Sequence, residues 1–490
     1  MRPKRLEKIL LLMPGYRKSH YEYAGLPAGL GYVSESLSRA GFISQKIVDM
    51  RLGYDYRQLV KIIKQFRPDI VGASLMSFRH KDHYRLLEDI KKVFPDIKIA
   101  AGGPHISTYR EKALAECPAI DFGITLEGDD SFIELCQGRE PSAIKGILYR
   151  DEGTIKYTGD RPFITDLDAK GFARYEFFEM KKYPKFIPFV TSRGCPHSCI
   201  FCPVQLTIGR RLRVRSAASI VGELDYWYKK GYKVFNVVDD NFTFYKNRII
   251  DICNSIKSGG YADISLSCRN GVRADTVDRE MLVAMKDVGF NYLAFGVESA
   301  SDRILESIKK GEKLADIENA VRIACELGFM VTLFFIMGFP YETEDDIKKS
   351  VDFAMKYPVF DVRFYNPIPF PGTELYDWVE KNNRFDKSVG DYLNSFSHWI
   401  NRPVFSTPEL SIERRKELYK EINKKIEAHT YKTKLLFSKK MEKIFTDMGI
   451  PGFLSKMLAR VYYMPVFQHL VIDTGLASGL KGILNFMKRR

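Results

Sequence analysis

The first third of the chain alternates short apolar runs with stretches in which apolar residues recur every three or four positions. The first pattern predicts strands and the second predicts amphipathic helices. Strands are predicted at 9–13, 46–50, 70–75, 97–101 and 122–126, with helices at 30–39, 56–66 and 84–94. Strands that alternate with helices are typical of a parallel sheet with helices on both faces. We therefore predict a doubly wound α/β domain, flavodoxin-like or Rossmann-like, over residues 1–145.

The alternation stops over residues 146–185, which we interpret as a linker with a hairpin turn at 149–153, and then resumes. Six more strands are predicted at 187–192, 233–238, 263–268, 291–298, 329–337 and 360–366, with helices between them and a last helix at 374–381. Six strands fit a partial (β/α)6 barrel over residues 186–385 rather than a closed eightfold barrel. Residues 386–490 are predicted to form a helical, basic C-terminal region.

Composition indicates a folded protein without membrane spans. The chain has 490 residues, of which 45% are hydrophobic, enough for a large core and two or three domains. No apolar run approaches the roughly 20 residues of a membrane-spanning helix, and the apolar run near the N-terminus is too short for a signal peptide. We therefore expect a cytoplasmic protein. The eight cysteines do not suggest a disulfide framework, because five are scattered and three lie close together.

The three close cysteines follow the first barrel strand directly, with the spacing Cys-x3-Cys-x2-Cys. They are Cys195, Cys199 and Cys202. Thiolates are the protein ligands of iron–sulfur clusters, and three of them leave one iron of a [4Fe–4S] cluster open for chemistry. A zinc site would need a fourth ligand, and His197 would need an awkward geometry inside this loop to supply it. Phe201 would place an aromatic ring beside the ligand of the open iron.

Polar residues stand at the ends of the following barrel strands, where parallel α/β folds bind ligands. Asp239 and Asp240 end the second strand, and they either accept hydrogen bonds from a ligand ammonium group or cap the next helix. Arg269 ends the third strand and binds a ligand carboxylate or pairs with one of these aspartates. Glu298 ends the fourth strand and points into the barrel mouth or into a salt bridge. Gly338, in Gly-Phe-Pro, lies in a ligand-binding turn or an ordinary one.

Glycine-rich turns mark the equivalent strand ends of the first domain. The first helix opens with a glycine-rich stretch at 25–32, and such a start lets the backbone approach a ligand closely. The turns after the third, fourth and fifth strands supply the other candidates, which are Ser74, Gly102, Gly103, His105, Glu127 and Gly128. A nicotinamide cofactor is not expected, because Gly-x-Gly-x-x-Gly is missing after the first strand.

With these motifs, residues 5–380 resemble the cobalamin-dependent radical S-adenosylmethionine (SAM) family. The cysteine segment resembles the radical SAM signature, and the turns of the first domain match the family's cobalamin-contacting loops in order and spacing. The resemblance implies three cofactors: a [4Fe–4S] cluster, SAM and cobalamin. It implies that the amino and carboxyl groups of SAM chelate the open iron and that Phe201 packs against adenine. It also implies that the strand-end residues at 239–240, 269, 298 and 338 lie around SAM.

One stretch departs from a related cobalamin motif. Cobalamin-dependent mutases carry Asp-x-His-x-x-Gly after the second strand, and that histidine ligates cobalt. Here Arg51 stands in its place and Gly53 comes one residue early. Arginine stays protonated and cannot ligate a metal. The resemblance therefore implies cobalamin without a protein imidazole below the cobalt, as is usual for the radical SAM branch.

The resemblance implies an enzyme that cleaves SAM reductively to a 5′-deoxyadenosyl radical and, with cobalamin, methylates an unactivated carbon. The alternative is an enzyme with the same cofactors that catalyses a non-methylating oxidation, cyclisation or rearrangement. A cobalamin or redox sensor also stays open, although a sensor would be expected to have lost a cluster cysteine. The expected partners are a small-molecule or lipid substrate and a reductant such as ferredoxin or flavodoxin.

The C-terminal region carries much of the positive charge. Residues 431–490 hold +8 of the net charge of +15, and apolar and basic residues alternate at helical spacing over 453–464 and 476–490. Such helices lie in an anionic membrane interface or cap the barrel with a solvated basic face, and both interpretations stay open. The first would put the protein at the periphery of the inner membrane face. Nucleic acid is not an expected partner, because no recognised binding module accompanies the charge.

Overall fold

The structure, a computed structural model, describes residues 5–15, 25–395 and 402–437, together with 442, 452–453 and 455–457. Its strands are β1 (Ile9–Met13), β2 (Gln45–Asp49), β3 (Ile70–Ser74), β4 (Lys98–Gly102), β5 (Phe122–Ile124), β6 (Ile147–Asp151), β7 (Thr154–Tyr157), β8 (Ile187–Phe189), β9 (Ser192–Arg193), β10 (Arg213–Val214), β11 (Val234–Val237), β12 (Ser265–Val272), β13 (Phe290–Glu298), β14 (Met330–Ile336) and β15 (Asp361–Tyr365).

The α-helices of the same residues lie between and after these strands. They are α1 (Ala28–Arg39), α2 (Tyr56–Phe66), α3 (His80–Val93), α4 (Pro104–Tyr109), α5 (Glu111–Glu116), α6 (Asp129–Cys136), α7 (Gln205–Ile208), α8 (Ala217–Lys229), α9 (Lys246–Ser258), α10 (Arg279–Asp287), α11 (Asp302–Ser307), α12 (Leu314–Glu326), α13 (Glu344–Lys356), α14 (Glu374–Lys381), α15 (Val389–Ser395) and α16 (Ile412–Leu436). The predicted strands and helices are present, with shifts of a few residues at their ends.

The first sheet has seven strands in the order β2-β1-β3-β4-β5-β6-β7. Strands β1 to β5 are parallel, and the order 2-1-3-4-5 is that of flavodoxin-like folds. Strands β6 and β7 continue the sheet as an antiparallel hairpin. The predicted turn at 149–153 is therefore correct, but the hairpin extends the first sheet instead of belonging to a linker. Burial of the adjacent Ile147 and Leu148 explains this attachment.

The core of this sheet forms because β1, β3 and β4 are apolar on both faces. Leu10, Val71 and Ile99 pack with Leu59 and Ile63 of α2 into one buried cluster. Strands buried on both faces read as continuous apolar runs, which is why the sequence pattern is clear here.

The second sheet has six strands in the order β15-β14-β13-β12-β11-β8. Neighbouring strands pair in parallel in β8/β11, β12/β13, β13/β14 and β14/β15. The predicted α/β class, with a parallel N-terminal sheet, a six-stranded parallel sheet and a helical C-terminal region, is confirmed.

By their internal contacts the described residues divide into two units. The first unit holds residues up to 265 together with 368–405, and the second holds 266–367 together with the residues from 406 onward.

Helix α16 is the long helix of the C-terminal region, and Arg415, Leu418, Ile422 and Ile426 are buried along it. The predicted tail helices at 453–464 and 476–490 lie outside the described residues except at a few positions. In the described part of the chain, no helix combines the length and apolarity that crossing a bilayer requires.

Candidate cofactor sites

A cavity of about 390 Å³ lies at the carboxyl ends of the first sheet, in the first unit. Five of the predicted cobalamin-binding residues line it: Ser74, Gly102, Gly103, Glu127 and Gly128. The first turn of α1 lines it as well, and at Gly29 an added Cβ would meet no atom within 4 Å. Backbone bordered by open space is what a large ligand held close to the main chain requires.

Glycine is required at position 103 by the backbone itself. Gly103 has φ 94° and ψ −175°, a conformation that is essentially restricted to glycine. An added Cβ would lie 2.9 Å from the Leu75 carbonyl oxygen. The turn is fixed from both sides, because the Leu75 amide donates to the Gly102 carbonyl and the His105 amide donates to the Leu75 carbonyl.

The His105 side chain is not among the residues that line this cavity. Its ring is fully buried, stacks on His80 and shares a 2.6 Å hydrogen bond with the Tyr84 hydroxyl. Burial lowers the pKa of His105 well below its ordinary value, and neighbouring His80 and His83 act in the same direction. The predicted cobalamin contact at His105 thus receives no support from its side chain.

Glu127 lines the cavity and also accepts hydrogen bonds from other parts of the protein. Its Oε1 accepts from Arg193 at 2.9 Å, and its Oε2 accepts from Arg213 at 2.7 Å and from the Ile164 amide at 2.8 Å. All three charged side chains are almost completely buried. A buried acid with two arginine partners is held firmly by the protein, because removing one partner would leave a buried charge uncompensated.

The Arg51 side chain also forms hydrogen bonds within the protein. Its guanidinium forms two hydrogen bonds with Asp49, at 2.9 and 2.7 Å, and one with the Gly25 carbonyl at 3.0 Å. Asp49 accepts a further hydrogen bond from Tyr183 at 2.9 Å. Arg51 therefore stabilises the turn after β2 and the entry to the glycine-rich stretch before α1.

The three cysteines lie in one loop of the first unit, residues 194–212, which we call the cluster loop. It is closed at its base by the antiparallel strands β9 and β10, with Arg193 opposite Arg213. Gly194 has φ 96°, and an added Cβ would lie 2.3 Å from the Arg211 carbonyl oxygen. The Cys195 amide donates to Gly209, and the Cys202 amide donates to Cys199.

The donor set of the cluster loop fits an iron–sulfur cluster. All three cysteines are half-buried and none forms a disulfide. Burial raises the pKa of the Cys202 thiol to about 12, and the charges of Cys199, Cys195 and Asp240 act in the same direction. Within the described residues, no three His, Cys, Asp or Glu side chains gather as the ligands of one ion. Cysteines that each bind a different iron of one cluster do not need to lie as close together as the ligands of a single ion.

Phe201 packs beside helix α14. It lies against a small buried cluster of Leu375, Val379 and Phe405, and the Leu375 amide donates to the Ile200 carbonyl. One side of the ring is therefore fixed by the protein, and its predicted contact with adenine stays a prediction.

Asp239 and Asp240 have different environments in the structure. Asp239 is buried, and its oxygens accept from the Thr191 amide at 2.6 Å, the Thr191 hydroxyl at 2.5 Å and the Ser192 hydroxyl at 2.7 Å. Asp240 is exposed and lines the cavity, and desolvation by the surrounding protein together with the charge of Asp239 raises its pKa. Asp239 therefore fixes the segment before the cluster loop, and Asp240 is the carboxylate available to a ligand.

Asn241 follows them and is 2% exposed. Neither its amide oxygen nor its amide nitrogen has a hydrogen-bond partner among the described residues. A buried polar group without a partner is costly and indicates a missing ligand or water. Asn241 directly follows the two predicted aspartates in the sequence, but only the structure distinguishes it from its neighbours.

The second unit contains the remaining candidates. Arg269 is exposed, with its guanidinium 4.3 Å from the centre of the Tyr292 ring. Glu298 has φ 62°, which is strained for glutamate, and its carboxylate pairs with Lys310 at 3.1 Å. Of its two predicted environments, the salt bridge is the one found. The hydroxyl of the next residue, Ser299, is buried without a partner in the described part of the chain.

Gly338 lies in a tightly held turn of the second unit. Its amide donates to Glu342 at 2.5 Å, and its carbonyl accepts from Arg415 of α16 at 3.3 Å. An added Cβ would lie 2.3 Å from the Arg415 guanidinium. Glu342 was not predicted, although Gly-Phe-Pro-Tyr-Glu contains it. Arg193, Arg213 and Arg415 were also missed, because no local pattern indicates their distant partners.

Comparison with known families agrees with this arrangement. Residues 18–136 match the B12 binding domain, and residues 189–354 match the radical SAM superfamily. The first match covers the cavity turns from β3 to Gly128, and the second covers the cluster loop and the strand ends of the second sheet except that of β15.

Two curated relatives span most of the chain. An uncharacterized methyltransferase of Pyrococcus horikoshii is 34% identical over 77% of this chain and 84% of its own length. An anaerobic magnesium-protoporphyrin IX monomethyl ester cyclase of Cereibacter sphaeroides is 25% identical over 76% of this chain and 64% of its own length.

A solved structure has the same fold. The cobalamin-dependent S-adenosylmethionine radical enzyme OxsB, with aqua-cobalamin and S-adenosylmethionine bound, superposes with a TM-score of 0.71. The superposition covers 98% of this chain and 81% of OxsB at 18% sequence identity.

Proposed function

Because this chain belongs to the cobalamin-binding radical SAM family, we propose that it methylates an unactivated carbon of its substrate. It is a radical SAM enzyme, and its cofactors are a [4Fe–4S] cluster, SAM and cobalamin. When bound, these cofactors supply a radical that removes a hydrogen atom from the substrate. They also supply the methyl group that is transferred. The reaction needs a reductant and a substrate, and we propose ferredoxin or flavodoxin as the reductant.

The observation that carries the proposal is the shared lining of the cavity. Its wall combines the predicted cobalamin turns with Arg193, which directly precedes the cluster loop, with Ile208 inside that loop, and with Asp240. Methyl transfer requires the methyl carrier and the radical source to meet at one substrate carbon. A cavity bordered by both sets of residues supports this requirement.

In this proposal each group of residues has one task. Cys195, Cys199 and Cys202 hold the cluster, and Asp240 and Asn241 accept and donate hydrogen bonds to SAM. The cavity turns hold cobalamin through backbone and small side chains. Asp239 holds the segment before the cluster loop and does not bind SAM.

A second candidate keeps the cofactors and transfers no methyl group. The relative from Cereibacter sphaeroides, a cyclase, supports it, since this relative aligns with 76% of this chain.

Product analysis separates the two candidates. The enzyme is purified without oxygen, reconstituted with iron, sulfide and hydroxocobalamin, and incubated with SAM and a reductant. Methyl transfer yields both S-adenosylhomocysteine and 5′-deoxyadenosine by mass spectrometry. 5′-Deoxyadenosine without S-adenosylhomocysteine would favour the non-methylating candidate. Cys199→Ala is the control for cluster-independent breakdown of SAM.

A further inference from the structure

Strands β9 and β10 form a two-stranded ribbon at the base of the cluster loop. Two arginines of like charge lie opposite one another in this ribbon. Arg193 and Arg213 are cross-strand partners of β9 and β10, and their side chains are only 12% and 3% exposed. Like charges directly opposite one another destabilise a strand pair. The ribbon therefore needs a compensating acid from elsewhere in the fold.

Glu127 provides this acid from the turn after β5. Each of its oxygens accepts from one of the two arginines, at 2.9 and 2.7 Å, and Asp129 lies 3.7 Å from Arg193 as a second, weaker partner. Arg213 also donates to the Ile208 carbonyl inside the cluster loop at 2.9 Å. One carboxylate thus links the B12-binding part of the chain to both ends of the cluster loop.

The same residues border the cavity. Glu127, Gly128 and Asp129 line it from the turn after β5, and Arg193 and Ile208 line it from the base of the cluster loop. The Arg193 guanidinium also lies 4.8 Å from the centre of the Tyr32 ring, which lines the cavity too. A ligand in the cavity therefore contacts the cluster loop itself, and such contacts favour the ordered loop over any displaced one.

We propose that Glu127 is a positioning residue that couples the cavity to the cluster loop, so that bound cobalamin and a bound cluster each strengthen the retention of the other. The proposal rests on cobalamin occupying this cavity. Reciprocity is required because a coupling free energy between two sites acts equally in both directions.

The test measures how fast the cluster is lost from the full chain. Reconstituted protein is exposed to an iron chelator with and without hydroxocobalamin, and iron release is followed by absorbance. In the unmodified protein we expect hydroxocobalamin to slow iron release by about fivefold or more, because typical coupling between sites changes affinity by at least about fivefold and affinity differences appear mostly in dissociation rates. In Glu127→Gln the rates of iron release with and without hydroxocobalamin should agree within about twofold, because the neutral side chain no longer holds both arginines.

Glu134→Gln is the matched control. Glu134 lies on α6 and also pairs with two arginines, Arg161 at 2.6 Å and Arg139 at 3.3 Å, but neither arginine belongs to the ribbon. In Glu134→Gln, hydroxocobalamin should slow iron release as much as it does in the unmodified protein. If Glu127→Gln keeps this effect as well, or if the unmodified protein shows no effect, the proposal is wrong.

Arg193→Gln provides a second variant in case Glu127→Gln does not fold, since it leaves the Glu127–Arg213 pair in place. It should also reduce the effect of hydroxocobalamin, and an unchanged effect would overturn the proposal. A methyltransferase assignment that fails would instead appear as missing S-adenosylhomocysteine in the unmodified protein, whatever the rates of iron release.

Discussion

The strand ends of the first sheet and the end of β11 border the same cavity with opposite chemistry. Ser74, Gly102, Gly103 and Gly128 contribute backbone and small side chains to the lining, whereas the end of β11 contributes the carboxylate of Asp240. Asp240 is followed directly by Asn241, a buried amide without a partner in the described residues. A large ligand of low charge needs space and close backbone, and a small zwitterionic ligand needs polar partners. The first region should therefore be sensitive to added volume and the second to lost polar groups.

The largest effect is expected from removing one cluster ligand. Cys199→Ala should abolish cluster incorporation and 5′-deoxyadenosine formation, because the cluster needs all three thiolates. Hydroxocobalamin should still bind, since the glycine-rich turns are unchanged, but about fivefold or more weakly, because the coupling to a bound cluster is lost. Iron content and the visible spectrum of bound cobalamin check both parts, and a variant that keeps its iron would contradict the assignment.

A bulky residue at position 103 should act on the cavity side. In Gly103→Val the backbone conformation alone costs about 1–3 kcal/mol, and the clash with Leu75 adds to it, so the melting temperature and the hydroxocobalamin affinity should both fall.

The control for this variant is Gly153→Val. Gly153 has φ 81° in the β6–β7 turn, and an added Cβ would meet no atom within 4 Å. Gly153→Val therefore introduces backbone strain without a clash like that of Gly103→Val with Leu75. Because Gly153 does not line the cavity, the affinity for hydroxocobalamin should be unchanged. Equal loss of affinity in both variants would show that the cavity turn has no special role.

Asn241→Ala tests the polar side of the comparison. A hydrogen bond to a charged ligand group contributes about 1.5–3 kcal/mol, so the affinity for SAM should fall roughly tenfold or more. Because the amide has no partner within the described residues, the melting temperature without SAM should stay unchanged or rise. Equilibrium dialysis with labelled SAM and thermal unfolding measure the two quantities.

Asn319→Ala is the control for Asn241→Ala. Asn319 is an exposed asparagine on α12 that bonds to Arg322, and its loss should change neither SAM affinity nor hydroxocobalamin affinity. If Asn241→Ala weakens hydroxocobalamin as strongly as SAM, the two regions are not chemically separate.

The smallest effect concerns pH and the buried histidines next to the cavity turns. Burial lowers the pKa of His83 to about 4, below the ordinary value of about 6.5. The unfolded chain therefore binds protons between these values while the folded chain does not. Stability from this group is fully present above pH 6.5 and is lost as the pH falls toward 4, by about 2 kcal/mol at pH 5.

Thermal unfolding at pH 7 and pH 5 checks this expectation. The acid-induced drop in melting temperature should be smaller in His83→Leu than in the unmodified protein. His429→Leu, on α16 in the second unit, removes a histidine elsewhere and serves as the control. An identical drop in His83→Leu and the unmodified protein would mean that His83 is not held neutral.

The sequence determined the elements and predicted the cluster ligands. Strands such as β1 and β14 are continuous apolar runs, so local pattern was enough to place them. The residue type and spacing of Cys195, Cys199 and Cys202 were enough to predict them as ligands. The sequence also indicated a glycine turn at 102–103, but it did not distinguish Gly103, which has φ 94°, from Gly102, which is not among the glycines with positive φ.

Only the tertiary structure decided which polar side chains are free to bind a ligand. Asp239 and Asp240 are identical in local pattern, yet one is used by Thr191 and Ser192 and the other opens on to the cavity. His105 faces a buried tyrosine, and Glu127 holds two arginines that are 66 and 86 residues away in the chain. Burial and pairing depend on residues that are distant in sequence, and no local pattern contains them. The sequence by itself therefore gives the cofactor chemistry, and the packed fold gives the role of each charged group.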